Sequence, residues 1–448
     1  MSEKQTYTVP AGQELRVEVA MDSKTTLTLE SGEAEVFGAE LAPARTYNLT
    51  GLHKIAVFSF RGATVSLTPE PAVVYVAEET TGMTYLNLHV ALEQQRAKAA
   101  TIPSLTGPRI LVAGGGDAGK TTLCRTLLNY AVRAGKVPLY VDLDPAEGSV
   151  TVPGTLTATA IPEIIGPEEG FAALTAGSDA PTRPIVYHYG TSQIHDNADL
   201  YAMILEKLAK VVNARVSQDP QVKEAGIVVD TAGAGDAKGI DTVAKAVEAF
   251  EIETVLVLGN ERLYSTLVSR FKSSTKAIHI VKLPKAGGAV DRDEAFRRAS
   301  QREKIRSYFY GFNTAELAPC HVQINWARAQ VYRLSEASIA PDSALPIGGE
   351  RQVTGPRVVR VESPDILLHT LLAIVPDEGQ KDHPKLDDQG KPIVLDEMDA
   401  IAALGSPVIG FACVHEVDLK GKWFTALAPM DNIPSVRMVS SVFRWVEE

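Results

Sequence analysis

The sequence predicts an α/β protein in three parts. A central P-loop NTPase domain with a parallel sheet is flanked by an N-terminal β-sandwich domain and a small C-terminal α/β domain. Three observations carry this. Gly114-Gly115-Gly116-Asp117-Ala118-Gly119-Lys120-Thr121 fits the G-x-x-x-x-G-K-[ST] phosphate-binding pattern at every fixed position. From Arg109 onward, apolar runs of strand length alternate with helical patterns. Before Arg109, short alternating segments are separated by turn residues. The expected parts are residues 1–100, 101–317 and 318–448.

The N-terminal part comes first. Leu15–Val19, Thr26–Leu29 and Ile55–Phe60 alternate, with turn signals at Ser31-Gly32 and Arg61-Gly62. Many short alternating strands make a sandwich or barrel. A helix is predicted near Leu86–Lys98, and Ile102–Pro108 reads as a linker. In the central part the strand candidates are Arg109–Ala113, Pro138–Leu143, Gly226–Asp230, Thr254–Leu258 and Ala277–Leu283. Near-continuous apolar runs suit a parallel sheet covered on both faces. Ala198–Ala214 and Thr242–Phe250 carry helical patterns between them. In the last part, Arg357–Val361 is strand-like and Asp365–Ile374 helix-like. Pro376–Pro392, rich in Asp, Lys, Gly and Pro, predicts a mobile loop. Further strands are expected at Val408–Val417, Trp423–Ala428 and Val439–Val446.

Composition narrows the function. A chain of 448 residues exceeds one ordinary domain. Hydrophobic content of 45% and charged content of 22% describe a globular protein. A net charge of −11 argues against broad, charge-driven nucleic-acid binding, which needs a basic face. Cys124, Cys320 and Cys413 lie far apart with no C-x-x-C, which suits a reducing compartment and signals neither a disulfide framework nor a zinc site. Cys124, in the helix after the loop, reads as buried packing. The start, Met1-Ser2-Glu3-Lys4-Gln5, lacks the apolar core of a signal peptide, and no run approaches membrane-crossing length. A cytosolic or nuclear protein without a membrane partner is expected.

The loop's setting gives it chemistry. A strand, a glycine turn and a helix N-terminus together cradle anions, because successive N–H groups and the helix dipole both favour phosphate. Asp117, Ala118, Gly119, Lys120, Thr121 and Thr122 are the expected cofactor-binding residues. Lys120 would reach the β- and γ-phosphates, and the Thr121 hydroxyl would bind Mg²⁺. Three acids are candidates for the metal or for a base: Asp142 and Asp144, at the end of the second strand, and Asp230, at the end of the third. Strand ends point into the ligand crevice of such sheets. A strand-ending Asp is the usual partner of the loop's Mg²⁺. Asp-Thr-Ala-Gly at 230–233 also matches the start of a GTPase switch. The next strand, however, is followed by Gly259-Asn260-Glu261-Arg262, which is no guanine reader. The run Arg292, Arg297, Arg298, Arg302, Lys304 and Arg306 is basic in an acidic chain. It reads as a mobile lid whose arginines offset charge on a transferred phosphate, or as a solvated helix face.

The combined motifs resemble one group. They are Gly114–Thr122, Asp144 with Gly148–Thr155, Leu283-Pro284-Lys285, Ile305–Gly311 and, near the N-terminus, Ser31–Leu41. The chain is similar across nearly its whole length to the polyribonucleotide 5′-hydroxyl-kinase family, which includes the nucleotide-binding subunit of pre-mRNA cleavage factor IA. The resemblance implies three domains, ATP and Mg²⁺ as cofactors, and Glu14 and Lys54 helping to read the adenine. It implies a nuclear role in RNA 3′-end formation, with the large scaffold subunit of cleavage factor IA and other 3′-end processing factors as partners. It also implies Asp144 as general base and Arg306 as lid arginine in those members that phosphorylate RNA.

Two departures bear on that activity. Active members carry a tryptophan on which the terminal RNA base stacks, and the matching position here is Ala234. Such stacking is worth roughly 1–3 kcal/mol. Active members also carry a second lid arginine, where this chain has Gln301. Arg302 is one residue away, but a helical step of about 100° turns it to another face. A milder change puts Glu147, an extra carboxylate, where the family has glutamine. The expectation is a subunit that holds Mg-ATP as a structural element for partner assembly, catalytically inactive, with weak or indirect RNA contact. The alternative is an active RNA 5′-hydroxyl kinase.

Overall fold

The computed structural model describes residues 4–175, 181–312, 315–335, 357–376, 404–433 and 437–447. The chain divides into two compact units. The first takes residues 1–143, 158–184 and 209–303, and the second takes 144–157, 185–208 and 304–448.

In the first unit, period-two alternation builds the N-terminal β-sandwich. Along Lys24–Gly32, Thr25, Leu27 and Leu29 turn inward. One sheet orders Gln5–Val9, Ala63–Thr68, Lys24–Gly32 and Thr46–Thr50. The other orders Ala39–Glu40, Glu35–Val36, Lys54–Ser59, Gln13–Glu18 and Val73–Ala77. Leu15, Val17, Leu27, Leu49, Val57, Val65 and Leu67 fill the core between them. The predicted helix follows at Gly82–Thr101. Its buried Arg96 is paired with Glu93 at 2.6 Å and donates to the Ala225 carbonyl at 2.9 Å, the compensation a buried charge requires.

Five strands of the seven-stranded central sheet run parallel, in the order Leu139–Leu143, Ile227–Thr231, Arg109–Gly114, Thr254–Leu258 and His279–Leu283. All five predicted strands are present, within two residues at their ends. The first four are buried along their whole length, as continuous apolar runs require. Helix Lys120–Arg133 docks on the sandwich. The Tyr130 hydroxyl donates to Glu35, Arg133 pairs with Glu35 at 3.0 Å, and the Asn129 amide donates to the Phe37 carbonyl at 2.9 Å.

In the second unit, a seven-stranded sheet orders Cys320–Asn325, Trp423–Ala428, Gly410–Asp418, Thr370–Ile374, Arg437–Arg444, Gln330–Ser335 and Arg357–Arg360. Its one face packs Val331, Leu372, Val414 and Phe424. The other meets Ile305 and Phe309, from the last turns of helix Glu294–Tyr310, together with Phe411 and Trp445. The helix expected over Asp365–Ile374 is a 3₁₀ turn, Pro364–Leu367, followed by the strand Thr370–Ile374. All five residues of that strand are buried, and so short an apolar run has no period that separates strand from helix. Residues 377–392 of the expected Pro376–Pro392 loop lie outside the described residues. Among the described residues, no helix is long and apolar enough to cross a membrane.

Candidate functional site

Strand Arg109–Gly114 delivers the glycine loop to the carboxyl edge of the parallel sheet, where such sheets bind ligands. The loop enters helix Lys120–Arg133 through Gly119, whose φ of +87° is strained for any residue with a Cβ. A Cβ at Gly115 or Gly116 would meet nothing within 4 Å, so the rim of the loop is open. Lys120 is only 6% exposed, and its ammonium donates to the Gly115 carbonyl at 2.9 Å. That bond holds the charge against the loop's own backbone. Ala118 is buried beside it and Thr122 half-buried.

Oxygen donors gather beneath the loop. The Thr121 hydroxyl donates to Asp230 Oδ2 at 2.5 Å, and the Tyr140 hydroxyl reaches the same oxygen at 3.3 Å. Asp142 and Asp230 stand side by side in the strand register, and both are buried. One hydroxyl and two carboxylates form an oxygen set suited to a hard divalent cation. The Cys124 thiol, fully buried below, registers the same charges. Burial first, then Asp230 and Asp142, raise its pKa well above the ordinary value, with Lys120 opposing.

Asp117 is the most constrained member of the loop. It has φ +51°, a conformation that costs a residue with a Cβ roughly 1–2 kcal/mol. Arg292 supplies both its backbone N–H, at 3.0 Å to Oδ2, and its Nε, at 2.7 Å to Oδ1. Arg297 donates to Oδ2 as well. Burial pushes the Asp117 carboxyl up, but the backbone N–H and guanidinium of Arg292, with Arg297, outweigh it and leave the pKa below its ordinary value. Two members of the basic run therefore clamp the phosphate loop and are not part of a solvated face. Arg298 pairs with Glu294 on the same helix.

The sandwich meets the strap 284–293 that precedes that helix. Glu14 is buried, and its two oxygens accept from Arg16 Nε and the Thr80 hydroxyl, each at 2.7 Å. Lys54 pairs with Glu18 at 2.9 Å and lies 5.2 Å from the centre of the Phe296 ring. The strand register sets Lys54 opposite Glu18, four residues along from Glu14, so the two expected adenine readers stand roughly 13 Å apart with Arg16 between them. The Arg16 guanidinium lies so close to Gly287 and Gly288 that a Cβ on either would come within 3.0 or 3.1 Å of it. Sandwich, strap and phosphate loop thus meet within one unit.

The remaining candidates lie at the foot of the loop or in the second unit. Ala234, at the position of the stacking tryptophan, is 2% exposed. Its N–H donates to the Gly114 carbonyl at 2.9 Å, and its Cα and Cβ sit against Gly239. Asp144 and Arg306 fall in the second unit. Asp144 Oδ1 accepts from the Ala146 N–H at 3.0 Å in a strand-ending turn, and Arg306 is exposed. Gln301 is half-buried and Arg302 exposed. Lys304 bonds the Glu147 carbonyl and lies 3.8 Å from its carboxylate, so the added acid has a cation beside it.

An open glycine cradle, a buried ammonium and an oxygen set beneath it fit a nucleotide's phosphates together with a divalent cation. The fold and site therefore define a P-loop nucleotide-binding protein. Three family models match it in succession: the N-terminal beta-sandwich domain of polyadenylation factor over residues 8–99, the mRNA cleavage and polyadenylation factor CLP1 P-loop over residues 114–311, and the pre-mRNA cleavage complex II protein Clp1 over residues 317–447. The chain belongs to the Clp1 family. It is 36% identical over 416 residues to the Homo sapiens polyribonucleotide 5′-hydroxyl-kinase Clp1, covering 93% of this chain and 90% of that protein. It is 33% identical over 443 residues to a Culex quinquefasciatus protein CLP1 homolog, covering 98% and 97%. Among solved structures, the wild-type Clp1p–Pcf11p (454–563) complex matches with a TM-score of 0.85 at 26% identity, covering 100% of this chain and 99% of that one. A second structure, described as the extended interface between Pcf11p and Clp1p and the structural basis for ATP loss in a Gly135Arg point mutant, matches at 0.84.

Sequence reading did not find Arg16, Tyr140 or Phe296 at this site, nor the bond from Asp117 to Arg292 across 175 positions. The basic run was the one available signal, and it does not tell which member meets which acid.

Proposed function

We propose that this chain holds Mg-ATP as a structural element of the nuclear pre-mRNA 3′-end cleavage and polyadenylation machinery, where it docks a large scaffold subunit, and that it does not transfer phosphate to RNA. One observation carries the reading. The phosphate loop and its acids are built in full, while position 234 is a buried alanine packed on Gly239. In this reading Lys120 and the loop from Asp117 to Thr122 bind the phosphates, and Thr121, Asp142 and Asp230 serve the Mg²⁺, with Asp144 as a further candidate. Glu14 and Lys54 flank the adenine. Bound ATP adds stability by mass action without turnover. The similar structures support the partner, because both descriptions pair Clp1p with Pcf11p, and the second ties ATP to an intact Clp1p.

The test is twofold. Protein purified without added nucleotide should carry ATP, and a 5′-hydroxyl oligoribonucleotide should receive no γ-phosphate from it. Transfer that disappears in Lys120→Ala would overturn the structural reading. A kinase reading keeps two supports: Asp144 and Arg306 are retained, and a 36% identical relative bears the kinase name. In that case Asp144 takes the hydroxyl proton and Arg306 offsets phosphoryl charge.

A further inference from the structure

Far from the glycine loop in sequence, three side chains of the second unit converge. His321 lies on strand Cys320–Asn325, His415 on strand Gly410–Asp418, and Glu447 follows the last strand. His321 Nε2 is 3.7 Å and His415 Nδ1 3.5 Å from the same oxygen, Glu447 Oε2. The ligand atoms all lie within 4.8 Å of one another. We propose that His321, His415 and Glu447 form a binding site for a borderline divalent transition ion, Zn²⁺ first.

The chemistry and the geometry agree. Two neutral imidazoles and one carboxylate are a three-ligand set that zinc takes with its fourth position open. With metal–ligand bonds of about 2.0–2.2 Å, a tetrahedral site has ligand–ligand edges of about 3.4 Å. Two of the three edges here are within a few tenths of an ångström of that. Both histidines are about half-exposed, so small side-chain rotations can close the third. Imidazole with one carboxylate selects zinc, copper or nickel over Mg²⁺ and Ca²⁺, which prefer all-oxygen sets.

The fold aims these groups on purpose of its own packing. His321 pairs with Leu427 and Cys413 pairs with Leu427 from the other side, so His321 and Cys413 share one face of the sheet. His415, two residues beyond Cys413, sits where the strand register shifts between Val414 and Glu416. Such a bulge re-aims a side chain. The Tyr310 hydroxyl donates to Glu447 Oε1 and leaves Oε2 facing both rings. That is the outer support by which metal sites orient a carboxylate. The ion would tie the chain's last residues to two strands of the sheet. The fourth position faces solvent and takes water.

The experiment uses tag-free full-length protein, stripped with chelator and dialysed, titrated with Zn²⁺ against a fluorescent zinc-chelating dye. The expected result is one equivalent that outcompetes the dye, abolished in the His321→Ala/His415→Ala double variant. Tyr310→Phe should keep the three ligands and weaken binding by roughly tenfold, the usual effect of removing an outer-shell partner. Lys120→Ala should bind zinc unchanged, which separates this ion from any held at the nucleotide site. ATP binding checks the fold of the histidine and Tyr310 variants, and a cooperative thermal unfolding transition checks that of Lys120→Ala. No bound equivalent in the wild-type chain, or the same equivalent in the double variant, overturns the proposal.

Discussion

The proposed phosphate-holding residues and the candidate transfer residues live under different conditions. Lys120, Asp142 and Asp230 are buried, and Asp117 is pinned by two arginines. Each is placed before a nucleotide arrives, so binding need not order them. Arg306 and Arg302 are exposed, and Asp144 is half-buried in a turn. Long exposed cations lose considerable side-chain entropy when they engage. The contrast is between a buried, preorganised grip and candidate transfer residues that are exposed or half-buried. A preorganised grip lowers the ordering cost of holding a ligand.

The sharpest way to break the contrast is Lys120→Ala, expected to weaken ATP binding by at least about 100-fold. At ligand concentrations near 100 times the wild-type dissociation constant, a variant weakened 100-fold forgoes about 2.3 of the roughly 2.7 kcal/mol of nucleotide-linked stability. Thermal unfolding with and without ATP measures both effects. If the variant still unfolds later with ATP, the grip is not where the buried charge is. Next comes Ala234→Trp. With Gly239 against it, the larger side chain should cost about 1–3 kcal/mol by overpacking, read as a lower denaturant midpoint, without creating RNA phosphorylation. A stable, active variant would show that only the stacking platform was missing.

Asp117→Asn should cost about 1–2 kcal/mol and speed nucleotide release. Hydrogen bonds to charged groups contribute more than that range when dry, but both arginines here are partly solvated. Its pH signature has a definite sign. The Asp117 carboxyl is held below its ordinary value, so its contribution is fully present above about pH 3.9 and is lost as pH falls through the lowered pKa. Acid titration of stability should show a limb below pH 4 that the Asn variant lacks. The smallest effect belongs to Arg306→Ala, expected to leave ATP affinity within about twofold, because surface substitutions usually stay within ±0.5 kcal/mol. A large loss in a fluorescent-ATP titration would mean that Arg306 belongs to the grip.

Much of this was legible in sequence, for reasons that differ between elements. Strand Thr254–Leu258 was predicted to the residue, because a buried parallel strand must be apolar throughout. Strands Thr155–Ala160 and Ile185–His188 were not predicted. In the first, Thr155, Thr157 and Thr159 are buried, and buried threonines give no hydropathy signal. Thr370–Ile374 misread as helix because five apolar residues fit either period, and only the left-handed His369 before them marks the break. The glycine loop announced its ligand class because its chemistry is local. The clamp on Asp117 and the zinc ligands stayed hidden because each joins residues that only the tertiary fold makes neighbours.

The buried cysteine beneath the phosphate loop has a consequence for measuring motion. Cys124 and Cys413 are buried with thiols held protonated, Cys413 pushed up to about 12, while Cys320 is partly exposed. Alkylation should therefore give one fast thiol and two slow ones. The rate at which Cys124 is modified is then a clock for how often the loop's floor opens to water. Saturating ATP should slow that clock while leaving the Cys320 rate alone, so one native side chain reports the lifetime of the closed state without an attached label.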